Sequence, residues 1–148
     1  MTAVKRKPLV AVVGCSGSGK SSVVFAGLIP WLRQDTNVRW QIVSFRPGNN
    51  PIEALAAAIA PLVRAKNGED ENARLVELEL EVALRQNNKA LYKIIESFVQ
   101  ATATRLVLIA DQFEELYTDS AGERKPTPFR GGMNFDSALL SAVKPLDS

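Results

Sequence analysis

Gly14-Cys15-Ser16-Gly17-Ser18-Gly19-Lys20-Ser21 is the feature that most narrows what this chain can fold into. Its spacing fits G-x-x-x-x-G-K-[ST] at every fixed position. The run before it, Leu9 to Val13, is wholly apolar and mostly β-branched, as in a parallel strand buried on both faces. After it, Val23, Val24, Gly27, Leu28, Trp31 and Leu32 recur at helical spacing between Lys20 and Arg33, with Pro30 expected to kink or shorten the helix. A strand, a glycine turn and a helix in that order point main-chain N–H groups into one concavity. The positive end of the helix dipole falls on the same spot.

Such a concavity suits a polyphosphate. The binding set expected from the sequence is Gly14, Ser16, Gly17, Ser18, Gly19, Lys20, Ser21 and Ser22. Lys20 is placed to reach β- and γ-phosphate oxygens, and the Ser21 hydroxyl to bind Mg²⁺. Cys15 holds a variable loop position and reads as a tolerated small residue rather than a redox switch.

The remainder alternates between strands and helices, which implies an α/β fold with a parallel sheet. Residues 39–45 (RWQIVSF) and 105–110 (RLVLIA) are the other strands, giving about three in all. The turn cluster Arg46-Pro47-Gly48-Asn49-Asn50-Pro51 follows the first of them. Leu55, Ile59, Leu62 and Val63 mark a helix whose last turn Pro61 should weaken. Residues 71–85 fit a helix through Leu75, Leu78 and Val82, or a strand by alternation from Glu77 to Val82; Leu and Glu content favours the helix. Leu91, Ile94, Ile95, Phe98 and Val99 form a regular helical stripe. Residues 118–132 read as a polar, flexible loop, and Phe135 to Val143 as a last short helix.

Composition bounds the chemistry. The 148 residues suffice for one core, so residues 1–148 are read as part of one domain with no second. With no histidine, Ser-His-Asp catalysis and His-ligated metal sites are excluded, and a single cysteine permits no internal disulfide. A formal charge of +2 supplies no general field for nucleic acid, so an anion site must come from local geometry. No apolar run approaches a membrane span and no signal peptide is evident, so a cytoplasmic location is expected. Trp31 and Trp40 read as packing residues, Lys5-Arg6-Lys7 as a solvated tail, and the acids Glu69, Asp70, Glu71, Glu77, Glu79 and Glu81 as a solvent face.

A second chemical signal is Asp111-Gln112-Phe113-Glu114-Glu115 at the end of an all-apolar strand. An acid at the carboxyl end of a parallel strand faces the crevice that the phosphate loop faces. Asp111 is therefore the expected partner of Ser21 in holding Mg²⁺. Glu114 and Glu115 are candidates for orienting or deprotonating the attacking water, with Glu114 preferred. Both equally suit the first turn of a helix, where the dipole favours acids. Arg46 is close enough in topology to reach the site, although forming the turn is the favoured reading for it.

With both motifs in place, the sequence resembles the STAND class of P-loop NTPases, nearest to NACHT-like modules associated with WD40 and other repeats. The resemblance is carried by GCSGSGKSSVVFAGLIPWLR at 14–33, FRPGNNPIEALA at 45–56 and LVLIADQFEELYT at 106–118. It implies a three-layer α/β/α domain, with the phosphate loop at 14–21 and an acidic Walker B box at 106–115. It also implies ATP, or GTP, with Mg²⁺ as ligands. The expected function is a nucleotide-binding, ATP-hydrolysing signalling switch with self-association or protein partners as its output. The alternatives are a non-hydrolysing assembly platform or a small-molecule kinase.

By that resemblance a further strand and a sensor residue would follow the acidic box, so the chain is expected to be the N-terminal part of a larger protein. Alone it is expected to be inactive or weak. Between residues 9–13 and 105–110 the class carries another strand, which leaves two inner edges to satisfy. The two segments are therefore expected to pair directly or to recruit another chain.

Overall fold

The computed structural model describes residues 4–5, 10–15, 17–67, 72–87 and 89–117, with backbone only at Lys66, Asn67, Glu115 and Tyr117. Residues 118–132 and the expected helix at 135–143 lie outside the described residues, as do Ser16, Arg6, Lys7, Glu69, Asp70 and Glu71.

The first helical run, α1, opens as Lys20–Ser22, widens into a π-helical stretch at Val23–Leu28 and closes as Ile29–Arg33. The π turn explains how Pro30 is carried. Pro30 has no N–H to donate, and in a regular helix its ring meets the carbonyl four residues back. Here Ile29 N–H already reaches the Val24 carbonyl, one residue further than in an α-helix, so the register is wider just before the proline. The helix neither ends nor shortens there.

Two strands, β1 (Trp40–Phe45) and β2 (Arg105–Ala110), pair in parallel with Trp40 opposite Arg105 and Phe45 opposite Ala110. Three helices lie between them in sequence: α2 (Pro51–Asn67), α3 (Ala73–Gln86) and α4 (Ala90–Thr102). A parallel pair needs such a crossover, and here it takes three helices. A short 3₁₀ turn, Phe113–Tyr117, follows β2.

The core joins α2, α3 and α4 to the sheet through Val43, Phe45, Ile52, Leu55, Ile59, Leu80, Leu84, Leu91 and Phe98. Residues 71–85 resolve as helix, capped by Asn72, whose side chain accepts from Arg74 N–H at 3.0 Å. Its buried face is Val76, Leu80 and Leu84, whereas Leu75, Leu78 and Val82 are exposed. The heptad-like spacing was right for a helix but picked the outward stripe. Small residues Ala56 and Ala60 on α2 are buried in the same core and leave room for the larger side chains of α3. Pro61 does not weaken α2, which runs on to Asn67; Pro61 and Ala57, whose carbonyl it frees, both face solvent. The chain leaves α4 through Ala103 in a left-handed conformation, φ 50°, and buried Thr104 shares a 2.7 Å hydroxyl contact with Thr102.

The expectation that fails is the strand at 9–13. Val10 to Val13 carry no strand pairing, and Val13 is 91% exposed. Nor does this segment lie along β2, whose partner is β1. A strand buried on both faces is held by neighbours on both sides, and no third strand is present among the described residues to supply one. The described sheet therefore has two strands rather than about three.

Near the start of the chain, Lys5 is not a solvated tail. Its ammonium pairs with Asp35 and sits 4.8 Å from the centre of the Trp31 ring. Asp35 also accepts from Trp40 Nε1 at 3.4 Å and from Asn37 N–H at 3.1 Å. The Lys5 bond, helped by the Trp40 and Asn37 donors and opposed by burial, holds the Asp35 carboxyl below its ordinary value. A lowered carboxylate stabilises the fold above its unfolded pKa, and that contribution disappears as pH falls through the folded value. Thermal melts of wild type and Asp35→Asn should thus differ near neutral pH and converge only as pH falls beneath the ordinary carboxylate value and through the lower folded one. Leu91→Ala, at a fully buried position, should cost about 2–5 kcal/mol in urea unfolding.

Candidate functional site

Where β1 and β2 end together, the ladder extends one more bond, from Asp111 N–H to the Phe45 carbonyl at 2.9 Å. This sets Arg46 and Asp111, each one residue past its strand, side by side at the sheet's carboxyl edge. Arg46 Nε lies 3.4 Å from Asp111 Oδ2. Gln112 then takes a left-handed conformation, φ 57°, and the chain turns at once into Phe113–Tyr117. Phe113 packs against the core and Leu116 is buried in it, so the short turn is anchored from below. A left-handed glutamine directly after Asp111 is a backbone cost, and it turns the chain sharply out of β2. No sequence signal announced it, because Gln is not a left-handed residue by preference.

The glycine-rich loop meets this edge from the other side. Ser21 Oγ donates to Asp111 Oδ1 at 2.8 Å, a contact between residues 90 positions apart. Both Asp111 oxygens are thus engaged, one by a hydroxyl and one by a guanidinium, and its side chain is only 13% exposed. Within the loop, Lys20 Nζ donates to the carbonyls of Gly14 at 2.9 Å and Cys15 at 3.1 Å. The same ammonium is 3.9 Å from Glu114 Oε1. Gly17 and Gly19 have φ of 76° and 81°, a conformation in which an L side chain at either position would be strained. Gly19 is also the residue from which α1 starts, and Val23 N–H returns to its carbonyl at 2.9 Å.

Of the residues expected from the sequence, Gly14, Lys20, Ser21, Asp111 and Glu114 come together. Gly17, Ser18, Gly19 and Ser22 lie on the same loop and first turn, largely exposed. Ser16 and the Glu115 side chain are outside the described residues. Cys15 is exposed and contributes its carbonyl to Lys20, not its thiol. Arg46, for which turn formation was the favoured reading, makes an ion pair inside the site. Trp31 and Trp40 belong to the Lys5–Asp35 cluster rather than to the loop.

Ser21 and Asp111 offer hard oxygen ligands on adjoining elements, which suits Mg²⁺. No cluster of three or more acidic, His or Cys side chains exists among the described residues, so an all-protein cage is not on offer. Mg²⁺ commonly takes one or two protein oxygens and completes its shell with phosphate and water, and this set fits that habit. Among the described residues no helix is long and apolar enough to cross a membrane.

The family described as Novel STAND NTPase 1 matches residues 1–144 of this chain. No curated protein and no solved structure was found to match it.

Gly19→Ala is expected to lower stability by about 1–2 kcal/mol in chemical denaturation, since alanine resists φ 81°. An unchanged midpoint would mean that the loop does not hold this conformation in solution.

Proposed function

The chain belongs to the Novel STAND NTPase 1 family, and from that premise we propose that it is the nucleotide-binding module of an ATP-hydrolysing signalling switch. Its domain is proposed to have the three-layer α/β/α P-loop architecture, to which the parallel β1–β2 ladder and its helical crossover are suited. The observation that carries the reading is the Ser21–Asp111 hydrogen bond, which joins the glycine-rich loop to the acidic strand end.

The chain's own residues divide the work. The loop from Gly14 to Ser22 wraps the phosphates with its amides, and Ser16 takes part on motif grounds alone. Lys20 exchanges its two carbonyl partners, Gly14 and Cys15, for β- and γ-phosphate oxygens. Ser21 and Asp111 are the residues that would hold Mg²⁺ through their side-chain oxygens. When bound, Mg²⁺ neutralises the charge that develops on the phosphates. Glu114 then orients water for attack, released from Lys20 as that ammonium turns to the phosphates. Glu115 is the second candidate for this role. ATP is proposed over GTP because of the family, not because any side chain here reads a base. Changes in contact at the terminal phosphate would bias a conformational equilibrium read by protein partners or by a second copy.

Calorimetric titration of MgATP into the purified protein tests this. Wild type should bind, Lys20→Ala should lose binding by at least tenfold, and Glu114→Gln should bind but not turn over. Normal hydrolysis by Glu114→Gln together with its loss in Glu115→Gln moves the role to the neighbouring acid. Binding without turnover in the full-length protein would select the non-hydrolysing assembly class. Absence of ATP binding by wild type contradicts the proposal.

A further inference from the structure

Arg46 stands at a place where its charge has a consequence. Its backbone is fixed: Phe45 is buried and laddered to Asp111, Pro47 is buried almost completely, and Gly48 turns the chain with φ 53°. The turn is further tied to α3, since Arg85 Nη2 donates to Asn50 Oδ1 at 3.1 Å while its other contacts hold Glu81. The Arg46 side chain, by contrast, is 66% exposed, and its partner among the described residues is Asp111. The contact is a 3.4 Å approach of Nε to one carboxylate oxygen. The side chain is thus a movable cation on a rigid base, resting on Oδ2 of the largely covered Asp111.

A divalent cation and a guanidinium compete for that oxygen. Both need its negative charge, and two cations sharing one carboxylate repel each other. We propose that Arg46 is the resident counter-ion of Asp111, which a divalent cation must displace, so that Arg46 sets the metal concentration at which the site closes on nucleotide. The proposal rests on the assignment of Asp111 as a metal ligand. Displacement costs the Arg46–Asp111 pair but leaves the fold untouched, because Pro47 and the β1–β2 ladder hold the backbone independently of the side chain. Arg46 is a positioning residue in this account, acting on the metal through Asp111.

Mn²⁺ titration at a fixed saturating concentration of a non-hydrolysable ATP analogue, read by water-proton relaxation, follows this competition with the phosphates completing the metal shell in every variant. Arg46→Ala should bind Mn²⁺ roughly 1.5- to fivefold more tightly than wild type, the scale expected for removing one partly exposed ion pair. Arg46→Lys, which returns a cation to the same base, should bring the affinity back toward wild type. Asp111→Asn should lose the site whichever residue stands at position 46. Equal or weaker Mn²⁺ binding in Arg46→Ala overturns the proposal, as does Arg46→Lys behaving like Arg46→Ala. If Asp111→Asn binds Mn²⁺ as wild type does, the metal assignment itself fails and the inference falls with it. If Asp111→Asn loses Mn²⁺ while Arg46→Ala is unchanged, only the inference falls.

Discussion

The hydrogen bond from Asp111 N–H to the Phe45 carbonyl is the constraint on which the site depends. It carries the parallel ladder one residue beyond both strands, so two oppositely charged side chains leave the sheet at the same height. Ser21 then draws the loop helix to that edge by a bond to Asp111 across 90 positions of sequence. Remove the ladder's last rung and Asp111 would have no fixed direction, and the loop would have nothing to close against.

Stability is unevenly distributed around that rung. Behind it, Leu55, Ile59, Leu84 and Leu91 are almost wholly buried between helices and sheet. Pro47 and Pro51 are buried at the turn, and Leu116 pins the chain after β2. In front of it, the loop and the residues leading to it are largely exposed, Val10, Val12 and Val13 among them. Binding segments are commonly drawn from the less stable part of a fold, where small free energies suffice to rearrange them. A lysine bonded to its own loop carbonyls, and an acid held by an exposed arginine, are arrangements that a stronger ligand can replace without disturbing the core.

Much of this was legible in the residues. The strand at 105–110, the helix carrying Leu91 and Phe98, and the meeting of Lys20, Ser21, Asp111 and Glu114 follow from periodicity and from two spaced motifs. What escaped depended on partners that local pattern does not encode. Val10 to Val13 has every sequence property of a buried strand but no strand partner among the described residues, and strand formation is a property of the pair. Leu75, Leu78 and Val82 have the spacing of an inward stripe, yet α3 buries Val76, Leu80 and Leu84 instead, in the core it shares with α2 and α4. Arg46 has good turn chemistry around it, and only the register of two strands far apart in sequence reveals that it faces an acid. Lys5 likewise acquires its meaning from Asp35 and Trp31.

The most direct test of the central claim, that the loop and the acidic strand end form one metal–phosphate site, is a crystal structure with Mn²⁺ and a non-hydrolysable ATP analogue. Anomalous scattering would locate the ion independently of the chain tracing. The account predicts the Mn²⁺ peak beside Ser21 Oγ and the Asp111 carboxylate, directly or through one water, with the triphosphate wrapped by residues 14–22. A peak elsewhere, or a triphosphate lying away from that loop, would contradict it.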